Sequence, residues 1–303
     1  MFYTRRRFLK SAGLTATGAL LFSDQLFAST TAKELIGVQL YSVRDEMKAD
    51  PLGTLKALAK MGYKNVEHAN YVNAKFYGYG AKEFRKILDD LGLKMPSGHT
   101  VLSTQHWDAG ANTFNDTWKK TVEDAAILGQ QFVISPSLPN NMRKTYDDLS
   151  RAMEMFNKSG ELCKQSGMKF GYHNHEFEFS EKLNDKTLFD IILMQTDPAL
   201  VAQQLDIGNM YNAGAQALDI MKKYPGRFES MHVKDEIKAA EGSHPYESCV
   251  LGKGVLPVKE VIDLGRKSGG TIHFIIEQES YQGKAPIDSM KENLAIMKKW
   301  GYK

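Results

Sequence analysis

Leu58-Ala-Lys-Met-Gly62-Tyr-Lys-Asn-Val-Glu67 runs from a helical pattern through a glycine into an apolar strand, and the same junction recurs along the chain. It returns at Leu88-Asp-Asp-Leu-Gly92-Leu-Lys-Met95, Ala126-Ile-Leu-Gly129-Gln-Gln-Phe-Val-Ile-Ser135 and Lys164-Gln-Ser-Gly167-Met-Lys-Phe170. Tyr224-Pro-Gly226-Arg-Phe-Glu229 and Arg266-Lys-Ser-Gly269-Gly-Thr-Ile-His-Phe274 continue the series. A helix that closes on a left-handed residue favours a side chain without a β-carbon, so each glycine marks a passage from helix to strand.

The flanking segments follow the same plan. Asp50-Pro51 supplies an N-cap and a first-turn proline, and Leu52, Leu55, Leu58 and Ala59 then share one helical face. Pro286 opens the last helix in the same way, with Ile287, Met290, Leu294 and Met297 at helical spacing. Strands are expected near 35–41, 63–67, 94–98, 131–135, 168–175, 201–206, 228–233 and 271–277. Eight strands alternating with helices predict an α/β fold, a single-domain (β/α)8 TIM barrel. The absence of a Gly-x-Gly-x-x-Gly turn after the first strand weakens a dinucleotide-binding sheet. Residues 100–115 and 236–253 read as long strand-to-helix loops over the barrel mouth.

Residues 1–30 read as a leader rather than as fold. Arg5-Arg6-Arg7-Phe8-Leu9-Lys10 resembles a twin-arginine signal, and Ala12 to Phe22 is apolar but too short to span a bilayer. With cleavage near Leu26-Phe27-Ala28, residues 31–303 form the expected barrel, exported to the periplasm. The leader holds four of the 39 basic residues and one of the 36 acidic ones, leaving 35 of each. A neutral mature chain argues against a nucleic-acid partner and against a nuclease. No later segment predicts stable membrane insertion, and Cys163 and Cys249 are too few for a disulfide framework. An oligomer is compatible with the sequence.

Four strands end in residues that bind metals: Tyr172-His173-Asn-His175-Glu176-Phe-Glu178, Leu205-Asp206-Ile-Gly-Asn209, Met231-His232-Val-Lys234-Asp235 and Ile276-Glu277-Gln-Glu279. In a closed barrel these ends meet at one mouth, so His173, Asp206, His232 and Glu277 are the expected ligands of one divalent cation. Mn, Co, Zn and Fe all suit two histidines and two carboxylates. Asp206 has an ordinary reading too, as the cap of the helix that follows. Lys234 and Asp235 read as substrate contacts or as partners of the imidazole, with a solvated loop as the plain alternative. His175 shares a strand face with His173, and with Glu67 and His99 it reads as a sugar-hydroxyl contact across the mouth. Gly252-Lys253-Gly254 reads as a weak anion-binding nest.

On Leu205 to Asn209, His232 to Asp235, Ile276-Glu277 and Tyr172 to Phe179, the chain resembles the xylose-isomerase-like barrel superfamily, often labelled sugar phosphate isomerase/epimerase. In its ketose epimerases a Glu, an Asp, a His and a Glu from strands five to eight hold the metal. Asp206, His232 and Glu277 match three of these, while His173 stands where the first glutamate belongs, with Glu176 as the neighbouring candidate. The resemblance implies a metal-dependent isomerase or epimerase of an unphosphorylated sugar, working through an enediolate. Glu277 would be the base and Glu176 or Glu178 the second proton donor. A lyase or hydratase of 3-keto-glycosides needs one base and one acid and is the alternative. A non-catalytic periplasmic sugar-binding protein is a third reading.

Overall fold

A computed structural model describes residues 35–240, 242 and 244–302. The proposed leader lies outside the described residues. Eight parallel strands close into a barrel: β1 Leu35–Gln39, β2 Asn65–His68, β3 Lys94–His99, β4 Phe132–Ser135, β5 Lys169–His173, β6 Val201–Asp206, β7 Ser230–Val233 and β8 His273–Ile276. Closure is direct, because Val38 of β1 stands between Val66 of β2 and Ile276 of β8. The strands fall where they were expected, most of them a little shorter, with β6 matching its expected span and β3 one residue longer.

Each strand is followed by an outer helix: α1 Pro51–Met61, α2 Ala81–Asp90, α3 Asp116–Leu128, α4 Tyr146–Lys164, α5 Leu188–Gln195, α6 Ala217–Lys223, α7 Val258–Leu264 and α8 Pro286–Lys299. Asp50 caps α1 as anticipated, its side chain accepting from the Gly53 N–H at 2.9 Å. At the last junction the expectation shifts by one residue. A π-turn over Gly265–Gly269 lengthens α7, so the left-handed residue is Gly270, with φ of 80°.

The core lies mainly between strands and helices, in one layer containing Leu55, Leu58, Val66, Phe84 and Met290 and a second containing Trp118, Phe156 and Phe170. Each such side chain contributes about 1.5–3 kcal/mol by leaving water. Phe132, Ile134 and Ala202 form a separate small cluster, and the Phe132 ring meets His273 edge-on at 5.0 Å. Among the described residues no helix is long and apolar enough to cross a membrane.

The strand-to-helix loops carry antiparallel hairpins. Trp107–Asp108 pairs with Thr113–Phe114, and Asp235–Lys238 pairs with Tyr246–Cys249, within the two loops expected to be long. Cys163 and Cys249 are both buried and free.

Candidate active site

Period-two alternation turns every second strand residue inward, so a polar column rises toward the mouth. Its base is Glu67, which is fully buried. One carboxylate oxygen accepts from Gln39 Nε2 at 2.7 Å and faces His232 Nε2 at 2.6 Å and His99 Nε2 at 3.3 Å. The other accepts from Ser97 Oγ and from Gln204 Nε2 at 2.9 Å. Burial alone would raise this carboxyl, but the imidazoles of His99 and His232 and the hydrogen bonds outweigh it and hold the pKa at about 2. Glu67 was expected to touch substrate. It does not line the cavity, because its oxygens are turned inward onto this shell.

His232 stands directly above. Its Nε2 faces Glu67 and its Nδ1 faces Glu277 Oε2 at 2.8 Å, so each nitrogen has a carboxylate to donate to, and a cation bound at Nδ1 would take the place of that proton. Burial opposes the charge, yet Glu277 and Glu67 raise its pKa well above the usual imidazole range. For a metal-binding His this is the familiar second-partner arrangement, with one nitrogen aimed at the ion site and the other anchored on a carboxylate.

Asp206 divides its two oxygens between the two roles considered for it. Oδ1 caps the short helix Ile207–Asn212, accepting from the N–H groups of Gly208 and Asn209 at 2.9 and 2.8 Å. Oδ2 is buried and makes no hydrogen bond. It lies 3.6 Å from His232 Nδ1, 3.8 Å from His173 Nε2 and 2.9 Å from Lys234 Nζ, the last at an angle unsuited to hydrogen bonding. Asn174 fixes the strand end by bonding both the N–H and the carbonyl of Asp206, at 2.9 and 3.1 Å.

A divalent cation fits this donor set. Donor atoms of Asp206, His232 and Glu277 all fall within 4.8 Å of one another. Bonds of about 2.1 Å in a tetrahedral site put ligand atoms about 3.4 Å apart, close to the separations from Asp206 Oδ2. His173 is kept neutral by burial and by the nearby imidazoles of His232 and His99, the state a ligand needs. His99, His173 and His232 also cluster within reach, but His99 Nε2 and His232 Nε2 are both turned to Glu67, which favours the carboxylate-containing set.

Lys234 is almost wholly buried, and its ammonium touches Asp206 Oδ2, Glu277 Oε2 at 2.8 Å, Glu279 Oε1 at 2.8 Å and Asn209 Oδ1 at 3.3 Å. Burial would lower its pKa, but the three carboxylates raise it well above the ordinary value. Burial likewise pushes Glu277 up, and Lys234 and His232 more than reverse this, so Glu277 is ionised. The stem of Lys234 packs over Gly208, where a Cβ would overlap it and Glu236.

Two further expectations are corrected by position. Asp235 is buried and points away from the cavity. Its carboxylate accepts from the N–H groups of Glu236, Gly252, Gly254 and Leu256 at 2.8–3.1 Å. The Gly252-Lys253-Gly254 nest therefore holds an anion from this chain. A Cβ at Gly254 would collide with that carboxylate, which accounts for the glycine. Glu178 is buried beneath strand β5, bonded to Tyr172 Oη and to the His175 N–H at 2.8 Å. It does not line the cavity, and burial pushes its pKa up to about 8.

The cavity above measures about 1410 Å³, and His99, His173, His175, Glu176, Lys234 and Glu277 all line it. The rings of His173 and His175 lie 5.1 Å apart, although strand β5 ends at His173 and His175 stands in the loop beyond it. Glu236 and Glu279 also line the cavity and were not singled out from sequence. Burial raises Glu236 to about 8, and its Oε2 has no hydrogen-bond partner. The signal for Glu236 was its place two residues beyond Lys234, on the same face of a strand continuing into the mouth.

Comparison with known proteins gives a consistent picture. Inosose dehydratase of Bacillus licheniformis is 25% identical over 173 residues, covering 52% of this chain and 57% of the relative. Inosose dehydratase of Clostridium perfringens is 35% identical over 143 residues, 46% of each chain. The match thus spans about half the length of these curated relatives. A solved structure described as a sugar phosphate isomerase/epimerase from Parabacteroides distasonis is 26% identical, with a TM-score of 0.74 over 89% of this chain and 95% of that one. The family model for the xylose isomerase-like TIM barrel matches residues 55–300, and the chain belongs to that family.

Proposed function

We propose that the protein is a metal-assisted carbohydrate lyase of the dehydratase type, removing the proton beside the carbonyl of an unphosphorylated cyclic keto-sugar or keto-polyol and expelling the oxygen substituent one carbon further on. The observation that carries this reading is His173. Strand β5 presents a neutral imidazole where two-base proton exchange needs a second carboxylate. Elimination requires one base and one acid. A divalent cation held by Asp206, His232, Glu277 and His173 would supply Lewis-acid polarisation of the carbonyl.

Glu277, ionised and in the cavity wall, accepts the carbon-bound proton. Glu236 keeps its proton at neutral pH and has an unpartnered oxygen, so it protonates the departing oxygen. The C–H and C–O bonds break, a C=C bond forms, and water or an alcohol leaves. The relatives named inosose dehydratase fit this outcome.

The cavity favours a neutral substrate. The two lysines that line it, Lys120 and Lys234, are each paired with carboxylates, and Glu176, Glu277 and Glu279 repel a phosphate dianion. Export, if residues 1–30 act as the expected leader, would agree with that class, since free sugar phosphates are scarce outside the cytoplasm.

A second reading, isomerase or epimerase, is favoured by Glu176, a half-buried carboxylate of the cavity three residues beyond His173, and by the Parabacteroides structure. The test is incubation of metal-loaded protein with cyclic keto-sugars and inososes in deuterated water. A product lighter by one water or one alcohol supports elimination, whereas an isomeric product made heavier by one carbon-bound deuterium overturns it in favour of epimerisation.

A further inference from the structure

Lys234 and the expected metal compete for the same two oxygens. The ammonium lies 2.9 Å from Asp206 Oδ2 and 2.8 Å from Glu277 Oε2, the carboxylate atoms that face His232 Nδ1 at 3.6 and 2.8 Å. A divalent ion bonded to those oxygens would sit within about 4 Å of the ammonium, and two positive charges at that distance in a buried site repel strongly. Both cannot occupy the pair.

The surroundings offer the ammonium a second position. Glu279 Oε1 is already 2.8 Å away on a side chain that is 42% exposed, and Asn209 Oδ1 offers a neutral acceptor at 3.3 Å. The Lys234 stem is packed against Gly208 at its Cβ and Cδ, so the swing is confined to the end of the chain. Lysine suits this better than arginine, because a compact ammonium on a flexible stem can trade partners without losing a planar bidentate fit.

We infer that Lys234 is a tethered cation that metal binding displaces: it neutralises Asp206 and Glu277 before the ion arrives, then moves to Glu279 on the substrate side. Lys234 is thus a positioning residue that sets metal affinity. This rests on the metal site of the proposed function, and the experiment separates the two.

The test is calorimetric titration of the chelator-stripped full chain with Mn2+ and with Zn2+, for wild type, Lys234→Met and Glu279→Gln, with thermal melts of each in chelator and in metal. Lys234→Met removes the competitor at nearly constant volume and should bind metal on the order of tenfold more tightly. It should also melt lower than wild type in chelator and recover in metal. Glu279→Gln removes the second anchor and should weaken metal binding several-fold. A merely structural lysine would not move the two variants in opposite directions.

Wild type that binds metal, with Lys234→Met no tighter, overturns the inference and leaves the metal site standing. No stoichiometric ion on any of the three proteins overturns both. If Lys234→Met does not fold, Glu279→Gln decides: weakened metal binding supports the displacement, and unchanged binding refutes it.

Discussion

Replacing Glu67 by glutamine should be among the most damaging single changes in the barrel, although it alters one atom and touches no substrate. Glu67 receives His232 at 2.6 Å, Gln39 at 2.7 Å, Gln204 at 2.9 Å and Ser97, all in a fully buried site. A glutamine offers one oxygen where two are used. Its amide nitrogen must face either His232 and Gln39 or Gln204 and Ser97, and only the serine hydroxyl can reverse without flipping an amide or taking a proton from His232. The charge that balances His232 is also lost. Breaking a buried pair of this kind costs about 3–5 kcal/mol. At roughly 2 °C per kcal/mol for a barrel of this size, the melting temperature should fall by about 6–10 °C. The assay is thermal and urea unfolding by circular dichroism in chelator at neutral pH. The pH dependence gives a second check. The folded carboxyl sits near 2, below its ordinary 4.5, so its stabilisation is present above 4.5 and lost as pH falls toward 2. That acid limb should shrink in the variant. A Glu67→Gln protein melting within about 2 °C of wild type, with the acid limb intact, would refute the argument.

Two other substitutions test the supporting structure. Asp235→Asn leaves two of four backbone N–H groups facing an amide nitrogen, and should cost about 2–4 kcal/mol with faster amide exchange at Gly252 and Gly254. Unchanged exchange there would remove Asp235 as the anchor of that loop. Glu178 keeps its proton in the fold to about 8 but loses it near 4.5 when unfolded, so it makes stability fall as pH rises between those values. Glu178→Gln should therefore gain stability on wild type by roughly 3–4 kcal/mol from pH 5 to pH 8, with parallel urea curves contradicting the burial argument.

The barrel was legible because its signals are local. A glycine after a helix and an apolar run after the glycine need only neighbouring residues, and all eight strands end within two residues of where they were expected; β1 stops two early because a 3-10 turn begins at Leu40. The convergence of Asp206, His232, Glu277 and His173 followed from topology, since strand ends in a closed barrel share one rim. The inner shell was not legible. Gln39, Ser97, Gln204 and His232 meet Glu67 from 28, 30, 137 and 165 residues away, and nothing local distinguishes an inward glutamine from an ordinary one. For the same reason Glu67 read as a sugar contact, and Asp235 read as a substrate contact or a partner of the imidazole, although the Gly252-Gly254 backbone folds onto it. Lys234 was placed in the mouth correctly, but its grip on both ligand carboxylates depends on a side-chain path that sequence spacing does not reveal.

The Asp235 anchorage has an architectural consequence. The hairpin of Asp235–Lys238 and Tyr246–Cys249 springs from the residue directly after Lys234, and the returning chain is tied back to that same point through Gly252, Gly254 and Leu256. Whatever length or composition stands between Lys238 and Tyr246, the two ends stay moored beside the chemistry. Evolution, or an engineer, can therefore exchange the outer arc to suit a different guest while the proton-handling machinery below keeps its alignment.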